Sequence, residues 1–135
     1  MNPFEKRFLN TFVTVQKRDR YLELLMSKNG RKKLCQRLAH DFIDDLKNKH
    51  VHSIQNPPEK IKKHEALLLN AIHMKNPEHK CAIISEDSNL DGKFLPLETA
   101  RYERREDMGT VIIVAPEQLA YYYGEEPNSD YILIK

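Results

Sequence analysis

Apolar residues recur at helical intervals through the first half of the chain and fall into short unbroken runs in the last third. From Pro3 to Lys28 no internal Gly or Pro interrupts Phe4, Phe8, Phe12, Val15, Leu22, Leu25 and Met26. That spacing predicts one amphipathic helix, with Pro3 near its first position. Thr11, Val13, Thr14 and Val15 lower helix propensity near its middle, so a kink or a break into two helices is the alternative there. Ser27-Lys28-Asn29-Gly30 should end it, with Gly30 as a left-handed cap. Leu34, Leu38, Phe42 and Leu46 mark a second helix from Arg31 to about Lys49, folded back on the first as a hairpin. The stretch from His50 to Pro58 ends in paired prolines and reads as a connection. A third helix follows from Glu59 to Met74 on Ile61, Leu68 and Ile72, closed by Asn76-Pro77.

Beyond Lys80 the pattern changes. Cys81 to Ser85 and Thr110 to Val114 are short, rich in β-branched residues and bounded by turn residues, as buried central strands are. Between them, Pro96 to about Asp107 reads as a helix. Leu119 to Tyr123 and Tyr131 to Ile134 read as a hairpin around the turn from Gly124 to Asp130. A helical turn from Pro116 to Tyr123 competes for the first of those strands. Together these elements predict a single α+β domain over residues 1–135. In it, an N-terminal helical hairpin and a third helix pack on a small, mostly antiparallel C-terminal sheet of about four strands.

Charge adds a division to that picture. Residues 1–80 hold 17 Lys and Arg against 9 Asp and Glu, whereas residues 81–135 hold 5 against 11. The boundary coincides with the change from helical to strand periodicity, and summed charge sets the sign of a partner rather than the fold. The acidic part places Tyr121, Tyr122 and Tyr123 beside Glu125, Glu126 and Asp130. On a strand Tyr122 points away from its two neighbours, so at least one phenol should reach the surface, where tyrosine ringed by acid suits a basic protein partner. The function expected is therefore non-catalytic binding of another protein through those six residues. In size, compartment and charge such a module is similar to small bacterial immunity proteins and antitoxins that neutralise a basic partner; no motif carries that likeness.

The basic part offers a second reading. Lys17, Arg18, Arg20, Arg31, Lys32 and Lys33 lie at or near the ends of the predicted hairpin, where they can neutralise nucleic-acid phosphates. A third comes from Asp87 to Glu98, which satisfies D-x-[DN]-x-[DN]-G-x5-E and over these residues resembles the calcium loop of EF-hand proteins. The resemblance implies Asp87, Asn89, Asp91, Glu98 and the backbone carbonyl of Lys93 as calcium ligands, with Gly92 at the sharp turn. The segment entering the loop reads as a strand, where an EF-hand has a helix.

Other chemistry finds little support. The chain has no P-loop, no G-x-G-x-x-G and no G-x-S-x-G, and no cofactor other than calcium is suggested. Cys35 and Cys81 form no C-x-x-C and read as buried free thiols. The first residues lack the apolar stretch of a secretory signal, and the longest apolar run, Val111 to Ala115, is too short to span a bilayer. The expected compartment is the cytoplasm, with no membrane partner.

Overall fold

The computed structural model describes residues 1–135. Its helices are α1 (Pro3–Phe12), α2 (Val15–Leu24), α3 (Lys28–Arg37), α4 (Glu59–Lys75) and α5 (Leu97–Glu103). Its strands are β1 (Val51–Ser53), β2 (Cys81–Ser85), β3 (Phe94–Leu95), β4 (Thr110–Ala115), β5 (Leu119–Tyr123) and β6 (Asp130–Ile134). The strands form one antiparallel sheet of six, in the order β1-β6-β5-β4-β2-β3. The α+β class stands, and the two strands beyond the expected four are the short edges β1 and β3. β1 falls inside the stretch read as a connection. Three residues carry too little pattern to announce a strand, and β1 exists because Val51 to Ser53 pair with Tyr131 to Leu133. No helix is long and apolar enough to cross a membrane.

The strands read as unbroken apolar runs because both faces of the sheet are covered. Ala82, Ile84, Val111, Ile113, Ala120, Tyr122 and Leu133 face a core built with Phe8, Leu9, Phe12, Leu34, Leu38 and Phe42 of the N-terminal segment. Cys81, Ile83, Ile112, Val114, Leu119, Tyr121, Tyr123, Ile132 and Ile134 face the other way, toward Ile61, Leu68, Leu69 and Ile72 of α4 and Ala100 of α5. One helical layer over the sheet is thus replaced by two, with α4 on the side opposite α1 to α3. The period of two along each strand decides which core a residue joins.

The helical hairpin is more broken than periodicity alone suggests. The first helix divides at Val13, which is extended and forms an isolated bridge with Leu46. The Thr14 amide donates to the Asp45 carbonyl at 2.9 Å and the Lys47 amide to the Phe12 carbonyl at 2.8 Å. A run of β-branched residues supplied the weak point, and pairing with a distant segment converts it into a corner. Gly30 is not a left-handed cap. Ser27 caps α3 by accepting from the Gly30 amide at 3.0 Å, and a Cβ at Gly30 would meet the Leu24 carbonyl oxygen at 2.2 Å. Close approach of α2, not a positive φ, requires glycine there.

α3 also ends well before Lys49. Beyond Arg37 the chain turns so that a short 3₁₀ segment, Phe42–Asp45, places Phe42 between Tyr21 and Tyr122 at ring-centroid distances of 5.8 and 5.1 Å. Tyr122 donates its hydroxyl proton to the Leu38 carbonyl at 2.5 Å, taking over an acceptor that a continuing helix would have used.

Arg31 joins three of these parts. Its Nη1 and Nη2 donate to the two carboxylate oxygens of Glu5 at 3.1 and 2.5 Å, while Nε and Nη2 donate to Asp91 at 2.6 and 3.0 Å. Glu5 is fully buried and also completes the capping box of α1 with Asn2. Asp91 accepts in addition from the Ser85 amide at 3.0 Å, which ties α1 and α3 to the end of β2. Removing the guanidinium leaves Glu5 without a counter-charge inside the fold. Arg31→Ala should therefore cost about 3–5 kcal/mol in urea unfolding; an unchanged midpoint would refute this role. Gly30→Ala should cost about 1–3 kcal/mol, because backbone must move to admit one methyl group. A thermal melt matching that of the parent would show the α2–α3 contact to be dispensable.

Candidate partner-binding groove

A wide concavity of about 690 Å³ lies between α4, α5 and the end of their sheet face. Tyr121, Tyr123 and Ile132 form its floor, Lys62 and Glu65 of α4 one wall, and Arg101 and Arg104 the other. Tyr121 and Tyr123 are two apart on β5 and so emerge on the same side. Arg101 and Arg104, one helical turn apart, sit over them: the guanidinium carbon of Arg101 is 4.5 Å from the Tyr121 ring centre, and that of Arg104 is 4.0 Å from Tyr123. Tyr121 donates its hydroxyl proton to the Glu65 carboxylate. Burial first, and then that acceptor, push the Tyr121 phenol far above its ordinary range, so it stays a fixed donor. Burial opposes the charge on Arg101, but Tyr123, Tyr121 and Glu98 outweigh it and raise its pKa.

Arg104 and Asp130 also line a second hollow of about 260 Å³ on the β5–β6 turn, together with Glu106, Glu125 and Glu126. The turn is closed by the Gly124 amide donating to the Ser129 carbonyl at 2.8 Å, and Asn128 takes a positive φ of 64°. Behind β1, the Ile54 amide donates to the Asp130 carbonyl at 3.0 Å and the Gln55 side chain to Asn128 at 2.5 Å. Glu125 and Glu126 find an ion-pair partner only in His40, at 4.0 and 3.7 Å. Burial raises the Asp130 pKa, with Arg104 opposing and Glu106 reinforcing the rise. The Glu86 pKa is raised by burial and by Glu125 beside it, although the Gly109 amide steadies the carboxylate at 2.6 Å. The groove therefore presents fixed charges and donors of both signs on an aromatic floor, and the hollow beside it is acidic. The chain matches no family model, no curated protein and no solved structure at a significant level.

The structure separates the residues expected to bind a partner. Tyr121, Tyr122 and Tyr123 are only 1, 2 and 6% exposed, which corrects the expectation that one phenol reaches the surface. Tyr122 does face away from its neighbours, but into the other covered core. The rings are structural. Glu125, Glu126 and Asp130 remain accessible, gathered on one turn. Arg101, Arg104, Glu65 and Glu86 were not singled out from sequence. The one usable signal was a pair of arginines a helical turn apart, ahead of aromatics alternating on a strand.

The basic set is divided too. Arg31 is committed to Glu5 and Asp91, so it is not a free phosphate contact. Lys32 faces a cleft beside Arg31 and Cys35, whereas Lys17, Arg20 and Lys33 line a groove between α2 and α3. Arg18 is half-buried and lies outside that groove.

The residues of the calcium pattern have other uses in this structure. Asp91 is held by Arg31 and the Ser85 amide, and the Lys93 carbonyl accepts from the Ile83 amide at 3.0 Å as part of the strand pairing. Asp87 accepts from the Asn89 amide at 2.9 Å in an Asx turn. Glu98 lies on α5 with its side chain 82% exposed and paired to Arg101 at 2.8 Å. No three His, Cys, Asp or Glu side chains converge to hold a metal ion. Gly92, at φ 80°, serves the β2–β3 turn itself.

The raised Glu86 pKa makes a signed prediction. A carboxylic acid that binds its proton more tightly folded than unfolded weakens the fold as pH rises from the ordinary glutamate range through the raised value. Glu86→Gln keeps an acceptor for Gly109 and removes the charge. Its melting temperature should exceed that of the parent near neutrality, and the gap should close toward about pH 4. A gap independent of pH would contradict the assignment.

Proposed function

We propose that the protein is a non-catalytic binding module that captures a basic segment of another protein along this groove, as small immunity proteins and antitoxins neutralise a basic partner. One observation carries the reading: the aromatic-floored groove and the acidic turn lie side by side, with Arg104 and Asp130 lining both. Glu106, Glu125 and Glu126 line the hollow on that turn without a lysine or arginine partner. A partner's Lys or Arg side chains supply the missing counter-charges. Rim charges of this kind act chiefly through encounter rate and through rejection of acidic partners. The groove's own arginines occupy the tyrosine faces, leaving the carboxylates as the accessible contacts for a cation.

Glu125→Lys with Glu126→Lys reverses the acidic turn without touching the core. Capture of a protein from nuclease-treated host extract should fall at least about tenfold, about 1.4 kcal/mol, and weaken with salt. Capture that survives the reversal, or that disappears on nuclease treatment of the parent, would overturn the reading.

A further inference from the structure

On the opposite side of the sheet, α2 and α3 enclose a groove of about 340 Å³, within the size range of small-ligand sites. Lys17, Arg20, Tyr21 and Leu24 share one face of α2, and Lys33 and Arg37 lie one turn apart on α3. The close approach at Gly30 draws the two helices together. The floor is rigid. Tyr21 donates its hydroxyl proton to the buried carboxylate of Asp45, and Arg37 donates through Nη2 to Asp45 at 2.9 Å and through Nε to the Tyr21 oxygen at 3.0 Å. Burial and the Asp45 acceptor push the Tyr21 phenol above its ordinary range, so the floor does not gain a second negative charge. Arg37 has other N–H donors to spare, and its side chain is 40% exposed, so it is a donor held in place at the end of the groove.

Four cationic side chains therefore line the concavity against the single carboxylate of Asp45. Lys17 and Lys33 have no carboxylate in reach, and Arg20 touches only Glu23, at 3.9 Å on the helix exterior. Gathering four positive charges around one carboxylate in a concave site is unfavourable in the free protein, and an anion carrying several charges relieves it. We infer that this groove binds a small, multiply charged phosphate ligand, such as the di- or triphosphate part of a nucleotide or a short polyphosphate. Arg37 supplies planar donors and the two lysines mobile ones. The shortness of the groove favours a small ligand over a nucleic-acid strand. Asp41 and Asp44 lie exposed on the segment that closes it at Asp45, where an extended phosphate backbone would meet repulsion. This surface lies apart from the acidic turn, and its test is independent of the partner reading.

The experiment is calorimetric titration of the full chain with sodium tripolyphosphate in magnesium-free buffer, with inorganic phosphate and a single-stranded RNA oligomer as comparisons. Tripolyphosphate should bind and raise the melting temperature, and inorganic phosphate should bind far more weakly. Lys17→Gln with Lys33→Gln, both exposed and outside the core, should weaken tripolyphosphate at least about tenfold. Lys60→Gln with Lys62→Gln on α4 should leave it unchanged. No heat with tripolyphosphate, equal binding by both double variants, or binding confined to the RNA oligomer would each overturn the proposal.

Discussion

The guanidinium of Arg31 is the constraint on which the other contacts depend. It faces two carboxylates at once, and all four carboxylate oxygens of Glu5 and Asp91 accept from it. Buried ions are costly unless their partners are in place, so the arrangement tolerates one relative position of α1, α3 and the end of β2. The capping box of α1 shares Glu5, and the turn entering β3 shares Asp91, so local structure and tertiary placement are decided by the same atoms. The near-match to a calcium loop takes on a different meaning here. Its Asp91 accepts from an arginine of the basic half of the chain.

The two halves of opposite charge are accordingly not two faces. Helices of the basic half lie on both sides of the sheet, and the acidic residues collect in loops at the strand ends, Glu86, Glu106, Glu125 and Glu126 among them. The two cores differ in how well they are sealed. The side under α1 to α3 contains fully buried helix residues such as Phe8, Leu9 and Leu34, whereas α4 has none over its whole length. α4 is held by half-buried Ile61, Leu68, Leu69 and Ile72 and by the bond from Tyr121 to Glu65. Elements with few buried apolar contacts open at lower free energy than the rest of a domain. The groove proposed for a partner runs along this less tightly sealed element.

Much of the fold was legible in the order of residues, and the exceptions share a cause. α4, β2, β4, β5 and β6 each carry their own periodicity, and the structure places them where that periodicity does. Val13, the 3₁₀ segment at Phe42 and strand β1 do not, because each depends on a partner far away in sequence, Leu46, Tyr122 and the β6 residues respectively, and Gly30 depends on how tightly the next helix folds back on Leu24. The same limit applies to the surface. Asp130, Glu125 and Glu126 were recognisable as an accessible acidic turn. Burial of Tyr121 and Tyr123 rests on helices from two separate segments, and the gathering of Lys17, Arg20, Lys33 and Arg37 on the packing of two helices, neither of which local spacing reports.

The strand order has a consequence for how the chain acquires its structure. β6, the last strand in sequence, lies inside the sheet between β5 and β1, and β1 has no other strand beside it. During synthesis Phe8, Phe12 and Leu34 wait for β2, β4 and β5, and β1 waits longer still, for the last strand of the sheet. Pairings between segments so far apart are slow to form because loop closure precedes any gain in contact energy. A truncation within β6 therefore removes the only strand that β1 pairs with, while the sheet under the N-terminal helices, built mainly from β2, β4 and β5, stays in the chain.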